Sequence, residues 1–86
     1  IAPSGMIFVS SNRYGDDWNG NLLVGSLKFS YLARIILDSK QKIVHEDKIN
    51  VGERVRNVRQ APDGFIYVLT DSANGKLLRL QPYLQP

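Results

Sequence analysis

The chain has 86 residues, 43% of them hydrophobic, no cysteine and a formal net charge of +3. This length allows one small domain with a marginal core, and this hydrophobic content excludes a disordered tail. We expect no membrane span, because the longest apolar run is far below ~20 residues, and no nucleic-acid binding, because no basic cluster interleaves with aromatic residues.

Short strands are predicted along the whole chain, because apolar stretches of strand length alternate with turn residues. No window has the i, i+3, i+4, i+7 apolar spacing of an amphipathic helix. In chain order, the predicted strands are Met6–Ser11, Asn21–Leu27, Tyr31–Leu37, Lys42–Ile49, Arg54–Gln60, Phe65–Asp71 and Lys76–Gln81. The sequence therefore predicts an all-β protein.

An internal repeat indicates how these strands are grouped. Residues 20–24 align with residues 64–68 at an offset of 44, and residues 32–35 align with residues 77–80 at an offset of 45. A repeat of about 40–50 residues built of short strands is typical of β-propeller blades. The repeat therefore predicts two successive blades.

On this reading, residues 1–51 form one four-stranded antiparallel blade, and residues 52–86 form three strands of the next blade, whose last strand is missing. Two such sheets alone would expose unpaired strand edges, which favour aggregation. The chain also begins with Ile rather than Met. We therefore expect it to be the C-terminal piece of a longer propeller, or to need further copies of itself to cover these edges.

The segment from Arg54 to Asp71 suggests a ligand class. It joins a strand with Arg54 and Arg56, a Pro-Asp-Gly turn and a second strand that ends in Thr-Asp. Residues i and i+2 of a strand face the same side, so the two arginines are predicted to point together while Val55 packs behind them. Arg and Lys bind carboxylates by charge-assisted hydrogen bonds. The segment thus predicts a cationic rim for an anionic ligand, with ordinary surface cations as the alternative.

Three motifs, in their order and spacing, resemble one family. They are Ile1-Ala2-Pro3-Ser4-Gly5-Met6, the run from Trp18 that ends in Gly25-Ser26-Leu27-Lys28, and the Arg54–Asp71 segment. Together they resemble the C-terminal part of the soluble quinoprotein sugar dehydrogenases, the glucose/sorbosone or aldose sugar dehydrogenases. Pro-Asp-Gly before a strand is common in propellers, whereas Gly-Ser-Leu-Lys followed by Arg-x-Arg is much more specific.

The resemblance implies a six-bladed β-propeller that holds pyrroloquinoline quinone (PQQ) in a cleft over its central channel. It implies that Lys28, Arg54 and Arg56 contact the cofactor and that the whole protein oxidises an aldose sugar. In the family, the catalytic base and the calcium ligands lie in earlier blades. No catalytic residue and no metal ligand is therefore expected here, and this chain alone is expected to be inactive. Export to the periplasm or outside the cell is also implied, with any signal peptide upstream.

One position departs from the family pattern, which usually has Asp after the second arginine where this chain has Asn57. If that Asp orients an arginine by an ion pair, Asn57 keeps only neutral hydrogen bonding. Two alternatives to the enzyme stay open. The first is a non-catalytic propeller module that binds a protein or a sugar, since fold alone does not fix function. The second is a short protein that assembles a six-bladed ring from three copies.

Other polar residues are given structural roles. His45, the single histidine, is predicted to lie exposed on the outer strand of a blade. Asp16 and Asp17 lack the alternating oxygen ligands of a calcium loop and are predicted to form a solvated turn. Trp18 is predicted to cap the blade core. Asp71 is predicted to end its strand by accepting hydrogen bonds, with a role near the channel mouth as the alternative.

Overall fold

The computed structural model describes residues 3–26, 28–71 and 73–82, so Leu27 of the second predicted strand lies outside the described residues. The strands are β1 (Pro3–Phe8), β2 (Leu22–Ser26), β3 (Tyr31–Leu37), β4 (Ile43–Asn50), β5 (Val55–Gln60), β6 (Ile66–Thr70) and β7 (Leu77–Arg79). A single turn of 3₁₀ helix, Asp16–Trp18, precedes β2. The all-β prediction is confirmed, and the largest error is in β1, which begins and ends three residues earlier than predicted.

The strands form two antiparallel sheets in which neighbours in sequence are neighbours in space. The first sheet has the order β1-β2-β3-β4 and the second β5-β6-β7. The predicted grouping of the strands into one four-stranded and one three-stranded antiparallel sheet is therefore confirmed. No helix among the described residues is long and apolar enough to cross a membrane.

The hydrophobic core lies between the two sheets. Its fully buried members come from both: Val9, Leu23, Leu32, Val55, Val58, Ile66 and Val68. On β6 the burial alternates as expected for a strand with one face toward a core, since Ile66 and Val68 are buried while Leu69 is exposed. On β5 it does not alternate, because the buried residues Val55 and Val58 are three positions apart.

A β-bulge explains the irregular spacing on β5. Val55 pairs with Thr70 and Asn57 pairs with Leu69, so Arg56 is an extra residue between two consecutive pairs. A bulge leaves its extra residue out of the ladder and bends the strand. Arg56 is thereby directed away from the core, and Val58 takes the inward position that Asn57 would have in a regular strand.

The first strands of the two sheets, β1 and β5, lie side by side and run in the same direction. Near their beginnings Gly5 lies against Asn57 and Val58. Near their ends Ser10 and Gln60 exchange two hydrogen bonds of 2.9 Å. We call the end of the sheets at which β1 and β5 begin the upper end, and the opposite end the lower end.

The loop between β1 and β2 ties the sheets together at the lower end. The Tyr14 hydroxyl accepts the N–H of Ile66 at 2.9 Å and donates to the carbonyl of Leu80 at 2.8 Å. Trp18 stacks on Tyr14 with ring centroids 5.3 Å apart and packs against the core, as predicted. In the turn between β5 and β6, Gly64 has a φ of 87°, which favours glycine.

Candidate functional site

At the upper end of the second sheet, two guanidinium groups meet one carboxylate. Arg56 Nη1 donates to Asp71 Oδ1 at 3.3 Å, and Arg54 Nη2 lies 3.6 Å from Asp71 Oδ2. More than half of each arginine side chain is exposed, whereas Asp71 is 30% exposed. Both arginines therefore point to the same side, as predicted, and the three groups together carry one net positive charge.

Backbone contacts hold Asp71 in place between the two arginines. Its N–H donates to the carbonyl of Arg54 at 2.7 Å. The preceding residue, Thr70, is buried, and its Oγ1 accepts the N–H of Lys76 at 2.8 Å. The Lys76 ammonium in turn lies 3.1 Å from a Glu53 carboxylate oxygen. Asp71 thus ends its strand, as predicted, and also orients the arginines, which the sequence analysis did not foresee.

Lys28 lies at the same end, but on the first sheet. Ser26 at the end of β2 pairs with Pro3 at the start of β1, so the loop after β2 is at the upper end. The buried Ser26 Oγ accepts the N–H groups of Lys28 at 3.2 Å and Phe29 at 3.0 Å. The Lys28 ammonium is exposed and lies 5.5 Å from the Phe29 ring centroid. A ligand that contacts Lys28 and the arginines must therefore bridge two blades.

Asn57, the position that departs from the family pattern, is turned toward the neighbouring blade. Its Oδ1 accepts the N–H of the next residue, Val58, at 2.9 Å. The same oxygen faces Gly5 of β1. The arginines are nevertheless paired with a carboxylate, because Asp71 comes to them from β6. The departure at residue 57 therefore does not leave the arginines without an acidic partner.

His45, Asp16 and Asp17, the other polar residues considered in the sequence, are exposed on the first sheet and in the loop before β2. His45 is exposed on β4, as predicted, with its Nε2 2.8 Å from Asp47 Oδ1. Asp16 and Asp17 are exposed in the 3₁₀ turn, as predicted. Among the described residues, no group of three or more His, Cys, Asp or Glu side chains could hold a metal ion.

A nearly buried arginine was not singled out from the sequence. The Arg34 side chain is 14% exposed and pairs with Asp47 at 3.3 Å. Its guanidinium also donates to Asn21 Oδ1 at 2.8 Å and to the carbonyl of Asp17 at 3.1 Å, and it lies 4.7 Å from the Trp18 ring. These contacts fix the loop before β2 against the sheet. The sequence signal for a nearly buried arginine was its position in a predicted strand between two apolar neighbours, Ala33 and Ile35.

Comparison with known proteins places the chain in a family. The family model of Glucose / Sorbosone dehydrogenase matches residues 1–79. The chain is 44% identical over 81 residues to an uncharacterised protein of Synechocystis, with 94% of this chain and 19% of that protein covered. It is 36% identical over 83 residues to an aldose sugar dehydrogenase of Escherichia coli (94% and 22% covered). With quinoprotein glucose dehydrogenase B of Acinetobacter calcoaceticus the identity is 35% over 78 residues (85% and 16% covered).

A solved structure of a glucose dehydrogenase superposes with a TM-score of 0.86 at 38% identity, covering 95% of this chain and 26% of that one. The chain thus spans about a fifth of the length of the curated relatives that it matches. The family model nevertheless covers most of the described residues, including both arginines and Lys28. The chain belongs to the glucose/sorbosone dehydrogenase family.

Proposed function

We propose that these two blades are part of a quinoprotein sugar dehydrogenase, in which Lys28, Arg54 and Arg56 bind the carboxylates of pyrroloquinoline quinone. The observation that carries the proposal is the placement of three exposed cations at one end of two adjacent blades, with both guanidinium groups oriented by Asp71. Two relatives are named a quinoprotein glucose dehydrogenase and an aldose sugar dehydrogenase, which supports an aldose as the substrate of the whole protein.

The chemistry of this donor set fits the cofactor, which carries three carboxylates. Asp71 contacts one terminal nitrogen of each guanidinium. An arginine has five N–H donors in a planar fork, so the other nitrogens of Arg54 and Arg56 are left to donate to a ligand. Hydrogen bonds from such cations to carboxylates contribute roughly 1.5–3 kcal/mol each. Each of the three cations can therefore contribute to the binding of a carboxylated cofactor.

The residues of this chain bind and orient; no proton transfer is assigned to them. The bound quinone supplies the redox chemistry by accepting a hydride from the sugar. Lys28 on the first blade and the two arginines on the second would hold the cofactor through its carboxylates. The catalytic base and the calcium ligands belong, on this proposal, to blades outside this chain. Location in the periplasm or outside the cell is part of the same proposal.

The test uses the longer protein that contains these blades, purified without cofactor. The apoprotein is titrated with pyrroloquinoline quinone, with binding followed by calorimetry, and aldose oxidation is then measured with an artificial electron acceptor. We expect saturable binding at one site and sugar oxidation only after loading. A folded protein that binds no quinone would overturn the proposal and favour a non-catalytic propeller module.

A further inference from the structure

We infer that Gly5 is a positioning residue for the cofactor-binding cations, because it sets the distance between the two blades beside the bulge that carries Arg56. Gly5 itself does not contact the ligand. The inference rests on the proposed function, since it concerns how tightly the same site binds its carboxylated ligand. The contact between Gly5 and Asn57 is separate from the three cations, Lys28, Arg54 and Arg56, that form the proposed binding site.

Space, rather than backbone conformation, requires glycine at position 5. A Cβ added to Gly5 would lie 2.6 Å from Asn57 Oδ1, 3.4 Å from the backbone nitrogen of Val58 and 3.5 Å from the Asn57 Cα. Among the described residues, the glycines with positive φ are Gly15, Gly20, Gly52 and Gly64. Gly5 is not in that group. The absence of a side chain is therefore what lets β1 approach β5 this closely.

Two backbone irregularities meet at this contact. The register of β1 against β2 shifts between Pro3 and Gly5, and the register of β5 against β6 shifts between Val55 and Asn57. Bulges beside active sites commonly redirect a side chain. Here the redirected side chain is Arg56, so the contact lies directly at the backbone that aims this guanidinium.

A methyl group at position 5 has two ways to be accommodated, and both disturb that backbone. The Asn57 amide can rotate away, but its Oδ1 accepts the N–H of Val58 at 2.9 Å, and Val58 is fully buried. Rotation would break this hydrogen bond at a buried residue, which is unfavourable. Otherwise β5 moves away from β1, and the bulge with Arg56 moves with it.

A movement of β5 away from β1 also changes the distance between Lys28 and the two arginines. Lys28 belongs to the first blade, whose β2 is paired with β1, whereas Arg54 and Arg56 belong to the second. A rigid aromatic ligand with fixed carboxylates cannot follow a change in this spacing, and small misplacements reduce binding and reaction steeply. Ligand affinity should therefore be more sensitive to Gly5 than the stability of the fold is.

The experiment measures the affinity of the full-length apoprotein for pyrroloquinoline quinone, by calorimetry, together with its thermal unfolding. Gly5→Ala is expected to weaken binding roughly tenfold. The matched control is Ser10→Ala, which removes the hydrogen bond that Ser10 Oγ accepts from the Gln60 side chain, just after β1 at the lower end. We expect this control to lower the unfolding temperature and to leave the affinity unchanged.

A double variant separates positioning from general damage. Asn57→Ala removes the oxygen that the new methyl group meets, so Gly5→Ala combined with Asn57→Ala should bind the quinone as well as Asn57→Ala alone. If Gly5→Ala does not fold, Asn57→Gln lengthens the side chain on the other side of the same contact and should weaken binding similarly.

Wild-type affinity in Gly5→Ala, or in Asn57→Gln where that variant is used, would overturn the inference and leave the proposed function intact. A loss of affinity that follows the loss of stability equally in Gly5→Ala and Ser10→Ala would also overturn it. A wild-type protein that binds no quinone would instead overturn the proposed function itself.

Discussion

Asp71 accepts a hydrogen bond from Arg56 at 3.3 Å, although the two residues lie 15 positions apart and at the ends of different strands. The same carboxylate lies 3.6 Å from Arg54. One acidic residue therefore orients both guanidinium groups while most of each remains open to solvent. For the proposed binding of the quinone, this arrangement predicts how substitutions of Asp71 and of the two arginines change the affinity.

Asp71→Ala should weaken quinone binding by about 5- to 20-fold. Without the carboxylate, two long side chains must be ordered by the ligand, at about 0.5–1.5 kcal/mol for each. This loss outweighs the gain from removing a negative charge, because exposed ion pairs are worth only about 0–1 kcal/mol. The measurement is calorimetric titration of the apoprotein, with Glu46→Ala on the exposed outer strand as the control for charge. Tighter binding by Asp71→Ala would show that charge, and not orientation, dominates.

Arg54→Ala and Arg56→Ala should each weaken quinone binding roughly 10- to 100-fold, as expected for the loss of one charge-assisted hydrogen bond. Arg59→Ala is the matched control, because Arg59 is an exposed arginine of the same strand nearer the lower end. It should bind like the wild type. Salt should weaken wild-type binding more than binding by either variant, since a screened charge is already missing there. Equal losses in all three variants would indicate only a general effect of net charge.

The strands and their grouping could be predicted from the sequence because the information is local. Turn residues mark the strand ends, and apolar stretches of strand length lie between them, as in β6. The common direction of Arg54 and Arg56 was also predicted, from their i and i+2 positions. The assumption that β5 is a regular strand was wrong, because Arg56 is the extra residue of a bulge. The three-residue spacing of Val55 and Val58 was the signal of that bulge.

Contacts that depend on the pairing between distant segments could not be predicted. Asp71 meets Arg56 only because Val55 pairs with Thr70, and a one-residue change in register would separate them. The contact of Gly5 with Asn57 joins residues that are farther apart in the sequence and belong to different sheets. The sequence indicates which residues can bind an anion, whereas the packing of the sheets determines how they are held.

Arg34→Ala should lower the free energy of unfolding by roughly 1–3 kcal/mol, because it leaves the buried Asn21 side chain without its partner. Arg34→Lys should recover only part of this, since an ammonium cannot reproduce the planar fork that contacts Asn21, Asp17 and Asp47. Denaturant unfolding measures both variants, and the exposed Lys42→Ala serves as the control. A change for Arg34→Ala no larger than for Lys42→Ala would contradict the structural role.

We expect the fold to lose stability at alkaline pH as the Tyr14 hydroxyl ionises. Burial raises the pKa of its hydroxyl above the ordinary value of 10.0, against smaller opposing effects of the Ile66 hydrogen bond and of Arg79. Since the folded state holds this proton more tightly, the stabilisation is complete below pH 10.0 and is lost as the pH rises through the folded-state pKa. The loss is expected because a tyrosinate cannot donate to the Leu80 carbonyl.

Tyr14→Phe should remove this alkaline step and lower the free energy of unfolding at pH 7 by roughly 1–3 kcal/mol, since the Ile66 N–H and the Leu80 carbonyl lose their shared partner. The control is Tyr67→Phe, whose hydroxyl makes an exposed bond to Asp63 at 3.2 Å and should matter little at pH 7. Denaturant unfolding of the three proteins at pH 7 and at several values above pH 10 measures both effects. If Tyr14→Phe loses stability above pH 10 as steeply as the wild type, the alkaline step belongs to other groups, and the hydroxyl's link between the sheets is not its cause.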